Sequence, residues 1–342
     1  GLTPQTIARF EQRFPGRVAA MHSGLGENER LQAWRDARQG MAQVVIGTRS
    51  AVFAPLPDLA LVIVDEEHDT SYKQQEGFRF SARDVAVKRA QSMGIPIVLG
   101  SATPSAESVH NARQGRYTRL QLQRRAGGAR APQFRLLDLR GQAMEEGFSP
   151  ELLDQMARTV GAGNQVLVYL NRRGFAPTLL CHGCGWVACC PNCDARMVVH
   201  RRAQALRCHH CDARTRLPRA CPDCADTRLL GVGQGTERTE DFLQARFAGT
   251  PVLRIDRDTT RRKGAMDQFM ARIHAAGAAI LVGTQMLAKG HHFPRVTLVA
   301  VLDADAGLYS NDFRGPERTA QMLLQVAGRA GRAEQPGAVL IQ

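Results

Sequence analysis

All nine cysteines fall between Cys181 and Cys224, and eight of them form four Cys-x2-Cys pairs: Cys181 with Cys184, Cys190 with Cys193, Cys208 with Cys211 and Cys221 with Cys224. A Cys-x2-Cys turn sets two thiolates on one side of a tight loop, and two such turns supply the four tetrahedral ligands, about 2.3 Å from the metal, of a structural zinc. Four pairs therefore make two closed sites. A closed site leaves no coordination position for substrate, so these zincs fold the segment and take no part in catalysis. Cys189 adjoins a ligand and finds no vacancy, which makes it a non-ligand; with eight paired thiols, His182, His209 and His210 are not needed. An odd count confined to one short stretch argues against a disulfide framework.

On both sides of this cluster, short β-branched runs alternate with helical patterns. The runs are Gln43–Ile46, Leu61–Val64, Ile95–Leu99, Val166–Leu170, Ala279–Val282 and Val296–Leu302; helical stretches include Glu27–Gln39, Ala82–Met93, Pro150–Val160 and Thr236–Phe247. Near-continuous apolar strands alternating with helices predict parallel sheets covered on both faces, an α/β fold. A stretch around Leu120–Ala131, rich in Arg, Gln and Gly, reads as a linker. The expected organisation is a first lobe over 1–122, a linker over 123–133, the start of a second lobe over 134–180, the two-zinc insertion over 181–228 and the rest of the second lobe over 229–342.

Forty-five Lys and Arg against 32 Asp and Glu give 342 residues a formal charge of +13, which points to a polyanionic partner. Eight thiolates around two Zn²⁺ subtract four, leaving +9. No run approaches the roughly 18 apolar residues of a spanning helix, and the opening Gly1-Leu2-Thr3-Pro4 carries no signal-peptide pattern. The expected setting is the reducing cytoplasm, with nucleic acid and not a membrane as partner.

The run Val62–Val64 delivers Asp65, Glu66, Glu67 and His68 at its carboxyl end. A strand that ends in an acidic pair can present one carboxylate to Mg²⁺ and a second to an attacking water. Other motifs follow in order: Gly47-Thr48-Arg49-Ser50, Gly100-Ser101-Ala102-Thr103-Pro104, Asn171-Arg172-Arg173-Gly174, Gly283-Thr284-Gln285 through Gly290, and Gln325-Val326-Ala327-Gly328-Arg329-Ala330-Gly331-Arg332. A glycine after a strand is usually a turn; the ordered series resembles the DEAH-type motifs of superfamily-two helicases. The paired-cysteine insertion, Gly235-Thr236-Glu237, the stretch Arg254–Thr260 and Gly290-His291-His292-Phe293-Pro294 narrow the resemblance to the PriA family, the bacterial primosomal replication-restart helicases.

The resemblance implies two RecA-like lobes, the first truncated, with the zinc ribbon inserted in the second. It implies that Asp65 holds Mg²⁺, that Glu66 polarises the hydrolytic water and that His68 couples nucleotide state to the other motifs. Arg329 and Arg332 look like arginine fingers reaching across the lobe interface to the γ-phosphate, with Gln325 and Gly328 beside them, and Ser101 and Thr103 like the motif that links hydrolysis to movement. Arg49, Ser50, Asn171, Arg172, Arg173, Thr284 and Gln285 match positions that touch the single strand. Tyr72, Lys73, Phe78 and Arg79 lie in Ser71–Phe80, which is similar to the family's aromatic-rich loop coupling DNA binding to ATP hydrolysis; aromatics interleaved with cations suit unpaired bases and phosphates. In the family the outer pairs (Cys181, Cys184, Cys221, Cys224) share one zinc and the inner pairs (Cys190, Cys193, Cys208, Cys211) the other, although sequential pairing stays open on spacing alone.

The implied activity is an ATP- and Mg²⁺-dependent 3′→5′ DNA helicase that recognises stalled forks and initiates primosome assembly, with PriB, DnaT and single-stranded-DNA-binding protein as implied partners. No G-x-x-x-x-G-K-[ST] phosphate loop occurs in these 342 residues. In the family that loop precedes the stretch matching Leu2-Thr3-Pro4-Gln5, as do amino-terminal DNA-binding domains, and a carboxyl-terminal domain follows. The expectation is that these residues alone have little or no activity. The alternative from another class is a non-catalytic zinc-ribbon DNA-binding scaffold of the primosome.

Overall fold

The computed structural model describes residues 4–123, 131–170, 178–193, 195–200, 204–208, 211–232, 236–255, 265–284, 293–308, 312–330 and 337–342. The chain divides into two units, Gly1–Arg119 and Leu120–Gln342.

In the first unit, β1 (Val18–Met21) pairs in parallel with β2 (Val44–Gly47), and β3 (Val62–Asp65) with β4 (Ile97–Gly100). Helices α1 (Pro4–Arg13), α2 (Glu27–Arg38), α3 (Ala82–Met93) and α4 (Ala106–Arg113) alternate with them. Helix α3 buries Ala82, Ala86 and Ala90, a four-residue spacing of small side chains that lets it lie close to the strands. Its ends follow from sequence: the Ser81 hydroxyl accepts from the Asp84 amide at 3.3 Å, and Gly94 closes it with φ +64°. At the end of β2 only glycine fits, since a Cβ on Gly47 would stand 2.4 Å from the Met21 carbonyl oxygen.

The second unit is built on six parallel strands in the order β12-β13-β6-β14-β15-β5. These are β5 (Gln133–Leu136), β6 (Gln165–Leu170), β12 (Val252–Ile255), β13 (Ala279–Gly283), β14 (Val296–Leu302) and β15 (Ala338–Ile341). Strand period two splits their side chains between two cores: Leu167, Tyr169, Leu281, Val299 and Val301 face one way, and Val166, Val168, Leu170, Ile280, Val282 and Ala300 the other. Helices α5 (Pro150–Gly161), α6 (Thr236–Arg246), α7 (Ala265–Ala275) and α8 (Gly315–Ala327) belong to this unit. Two glutamines tie helix ends to the sheet. Gln165 Nε2 donates to the carbonyls of Ile273, Ala276 and Gly277 at 3.0–3.2 Å, around the carboxyl end of α7. Gln342 Oε1 accepts from Ser149, the residue whose hydroxyl caps α5.

Between β6 and β12 the chain forms a separate antiparallel sheet, ordered β10-β9-β8-β7-β11: β7 (Thr178–Cys181), β8 (Val198–His200), β9 (Ala205–Arg207), β10 (Arg214–Arg216) and β11 (Leu229–Val232). It carries a small apolar core of Leu179, Ala188, Met197, Val199 and Leu206 with Cys190 and Cys208. Among the described residues no helix is long and apolar enough to cross a membrane.

Candidate functional site

Strands β3 and β4 run parallel, so the segments leaving their carboxyl ends emerge side by side. Asp65 closes β3 with its side chain exposed and accepts the Glu66 amide at 3.0 Å. Glu66 takes φ +49°, a left-handed conformation that costs a non-glycine residue about 1–3 kcal/mol and that concentrates at functional turns. The turn aims the Glu66 carboxylate back over His68, with Oε2 3.6 Å from the ring Nδ1. From the β4 side, Ser101 Oγ lies 2.7 Å from His68 Nδ1 and accepts the Thr103 amide at 2.9 Å, while the Thr103 hydroxyl is 3.5 Å from Nε2. The two motifs thus share one histidine through both ring nitrogens.

Glu67, to which sequence reasoning gave no role, anchors this assembly. It is buried, and its carboxylate accepts the Ser105 amide at 2.6 Å, the Ser105 hydroxyl at 3.0 Å and Arg83 Nη1 at 3.1 Å. Burial alone would lower the Arg83 pKa, but the carboxylates of Asp84 and Glu67 outweigh it and hold the guanidinium charged. The turn after β3 is thereby pinned to the first residues of α3 and to the cap of α4, where the Ser105 hydroxyl accepts the Ser108 amide.

The stretch after His68 folds back on the same strand end. Asp69 caps a short 3-10 turn, Thr70–Tyr72, and the Tyr72 hydroxyl donates to the Asp65 carbonyl at 2.7 Å. Burial, with the nearby carboxylates of Asp65, Asp69 and Glu66, pushes the Tyr72 phenol up to about 12. Arg49, in the 3-10 helix Arg49–Phe53 with Ser50, donates to the Lys73 carbonyl at 3.1 Å. Backbone pairing of Gln74 with Phe80 and of Lys73 with Ser81 closes the loop that presents Phe78 and Arg79 to solvent. Five residues singled out for nucleic acid, Arg49, Tyr72, Lys73, Phe78 and Arg79, are therefore gathered with Ser50 in the first unit.

In the second unit, Thr284 follows the carboxyl end of β13, half-buried, at the edge where parallel sheets carry ligands. Gln325 lies in the last turn of α8, Gly328 caps that helix, and Arg329 follows with its amide donating to the Val326 carbonyl at 2.9 Å. Asn171, Arg172, Arg173, Gln285 and Arg332 lie outside the described residues.

The thiols assemble as a nested pair of sites: Cys181, Cys184, Cys221 and Cys224 in one, Cys190, Cys193, Cys208 and Cys211 in the other, with sulfurs of each within 4.8 Å of one another. A tetrahedron with zinc–sulfur bonds of about 2.3 Å sets its sulfurs about 3.8 Å apart. Cys181 with Cys224 at 3.5 Å, Cys184 with Cys221 at 3.7 Å, Cys190 with Cys211 at 3.4 Å and Cys193 with Cys208 at 3.6 Å fit that size. Three of the knuckles share one backbone device. The residue after the second cysteine turns left-handed, at Gly185, Asp212 and Ala225, and its amide donates to the carbonyl of the first cysteine at 3.0 Å. A Cβ on Gly183 inside the first knuckle would stand 2.5 Å from Asp226 Oδ2, so any larger residue there would displace that carboxylate. Cys189 belongs to neither site; its exposed thiol donates to the Val187 carbonyl at 3.3 Å.

The chain matches the DEAD/DEAH box helicase family over residues 1–112, the PriA DNA helicase Cys-rich region domain over 190–216 and the helicase conserved C-terminal domain over 224–334. It is 50% identical to the replication restart protein PriA of Haemophilus influenzae over 342 residues, covering 100% of this chain and 47% of that protein. To the protein of the same name in Bacillus subtilis it is 44% identical over 344 residues, covering 100% of the chain and 43% of the relative. The chain thus spans just under half the length of these relatives. A solved structure of Saccharomyces cerevisiae Dbp5 bound to RNA and ADP BeF3 shares the fold, with a TM-score of 0.50 at 14% identity over 98% of this chain and 67% of that one.

Proposed function

The chain belongs to the PriA family of replication restart proteins along its whole length, and on that premise we propose that the protein is an ATP-dependent 3′→5′ DNA helicase that recognises stalled forks and initiates primosome assembly. The observation that carries the reading is the strand-end assembly of the first unit, in which His68 bridges Glu66 to Ser101 and Thr103. In this reading Asp65 holds the Mg²⁺ that neutralises phosphate charge, and Glu66 orients the attacking water from its left-handed turn. His68 passes the state of that carboxylate to Ser101 and Thr103. Arg329 and Arg332 supply positive charge to the γ-phosphate, with Gln325 and Gly328 shaping the segment that carries them.

Single-stranded DNA is read as lying against Arg49, Ser50, Tyr72, Lys73, Phe78 and Arg79 in the first unit and against Asn171, Arg172, Arg173, Thr284 and Gln285 in the second, chiefly through phosphates. The tie from Tyr72 to the Asp65 carbonyl supports a role for this loop in relaying DNA contact to the nucleotide site. The eight ligand cysteines hold two structural zincs, which their sulfur spacing fits. PriB, DnaT and single-stranded-DNA-binding protein are the proposed protein partners, and the cytoplasm the proposed location.

The test is ATP hydrolysis by the full-length gene product with forked DNA, beside Glu66→Gln. The substitution keeps shape and removes the charge that orients water, and the expected loss is about a hundredfold or more. An unchanged rate would overturn the role given to Glu66.

A further inference from the structure

Phe53 ends the 3-10 helix Arg49–Phe53, a part of the chain to which no binding role has been given beyond Arg49 and Ser50. The residue is 54% exposed, although an apolar side chain of that size gains by being covered. It is not loosely placed. The Arg89 guanidinium of α3 donates to the carbonyls of Val52 at 2.7 Å and Ala54 at 2.8 Å, gripping the backbone on both sides of Phe53. The ring also meets Phe80 edge-on, with centroids 5.2 Å apart, and Phe80 in turn lies 6.2 Å from Phe78, which is 83% exposed. Three aromatic rings from two segments therefore form one row, exposed at Phe53 and Phe78 and half-buried at Phe80 between them. Beside it a hollow of about 430 Å³ is lined by Val52, Phe53, Val85, Lys88, Arg89 and Ser92.

We infer that Phe53 is a base-stacking residue for single-stranded DNA, extending the row Phe78–Phe80 into the hollow under α3. Lys88 lines the hollow with Phe53, Arg79 lies between Phe78 and Phe80 in the chain and Lys73 pairs with Ser81 next to Phe80, all three side chains exposed, so the segments that carry the rings also carry positive charge for phosphates. The Arg89 grip holds the ring in place before DNA arrives, so less ordering is needed on binding. A surface of this chemistry, flat rings edged by cations with no acidic side chain among the lining residues of the hollow, fits a polyanion with planar faces. The inference rests on the reading that the 71–80 loop meets DNA.

The test uses the full-length protein, a single-stranded oligonucleotide carrying 2-aminopurine, and an abasic strand of the same length. Phe53→Ala is expected to weaken binding of the base-bearing strand about tenfold and to lessen 2-aminopurine quenching. It should leave affinity for the abasic strand and the salt dependence unchanged, because the phosphate contacts remain. Phe53→Trp should retain tight binding. Phe53→Leu, which keeps apolar contact with Phe80 but offers no ring, should behave like Phe53→Ala and so separate stacking from packing. If wild type prefers the base-bearing strand and Phe53→Ala prefers it equally, the assignment of Phe53 is overturned and the reading of the loop stands. If wild type itself shows no preference for bases over abasic sugar-phosphate, both fall.

Discussion

The zinc ribbon and the strand ends of the first unit are both assemblies of short loops, and each is held by polar chemistry, yet in opposite ways. In the ribbon, four ligands converge on each of two points, and the intervening strands are three or four residues long. Removing one ligand disrupts the whole tetrahedron. At the strand ends, the Asp65–Thr103 region is held by separate hydrogen bonds: Glu67 to Ser105 and Arg83, His68 to Ser101, Tyr72 to Asp65. Each contributes about 1 kcal/mol, or a few where a buried charge is involved. A metal centre makes a rigid fixture; a set of small, separable bonds can be rearranged as a bound nucleotide changes. The difference fits the structural role proposed for the ribbon and the switching role proposed for the strand ends.

The largest expected effect is therefore loss of zinc. Structural zinc contributes about 10–16 kcal/mol to the folding of small zinc domains, far more than the ribbon core of Leu179, Ala188, Met197, Val199 and Leu206 can replace. A strong chelator, or Cys208→Ser, should abolish amide protection from β7 to β11 while β6, β13 and β14 stay protected in hydrogen exchange. Metal analysis should find about two zincs per chain before treatment. Because the ligands bind as thiolates, acid competes with the metal and zinc should leave as pH falls. If the six-stranded sheet lost protection together with the ribbon, the ribbon would not be a separately held fixture.

Next in size is Glu67→Ala. The substitution leaves Arg83 and the amide and hydroxyl of Ser105 without their buried partner, and breaking such a pair costs about 3–5 kcal/mol. Chemical denaturation should show the first unit unfolding earlier, with exchange fastest near His68 and Ser105. Glu67→Gln, which can still accept from Ser105, should lose less. Equal stability in all three proteins would show that this carboxylate does not anchor the motif.

Several of these features were legible in the sequence, and the rest were hidden for definable reasons. Strands β6, β13 and β14 are buried on both faces, so they read as unbroken apolar runs. The four-residue β1, with two alanines among Val18–Met21, gave no comparable signal. Spacing identified the zinc ligands but left nested and sequential grouping open, because loop closure between pairs depends on how β7 to β11 fold. Glu67 stood unread between two residues with roles; its partners Arg83 and Ser105 lie 16 and 38 positions away. The row of Phe53 with Phe80 was invisible for the same reason, since only the fold brings the 3-10 helix after β2 against the loop before α3. Local chemistry was readable wherever it depended on neighbours in sequence, and contacts between loops were not.

The smallest expected effect tests the other side of the comparison, the claim that strand-end bonds are weak enough to switch. Tyr72→Phe removes one hydroxyl and its bond to the Asp65 carbonyl, at a cost of about 1 kcal/mol. Its ionisation gives an independent readout. With the phenol pushed from an ordinary 10.0 up to about 12, chiefly by burial and then by Asp65, Asp69 and Glu66, the folded state favours the protonated form. That contribution is fully present below pH 10 and is lost as pH rises through about 12. Ultraviolet titration of the wild type should therefore show a late tyrosine that vanishes in Tyr72→Phe. At neutral pH the variant should keep basal ATP hydrolysis near wild type if the hydroxyl only relays DNA contact, while stimulation by single-stranded DNA falls. A uniform fall in both rates would mean that the bond shapes Asp65 itself, and the strand end would then resemble the ribbon more than it differs from it.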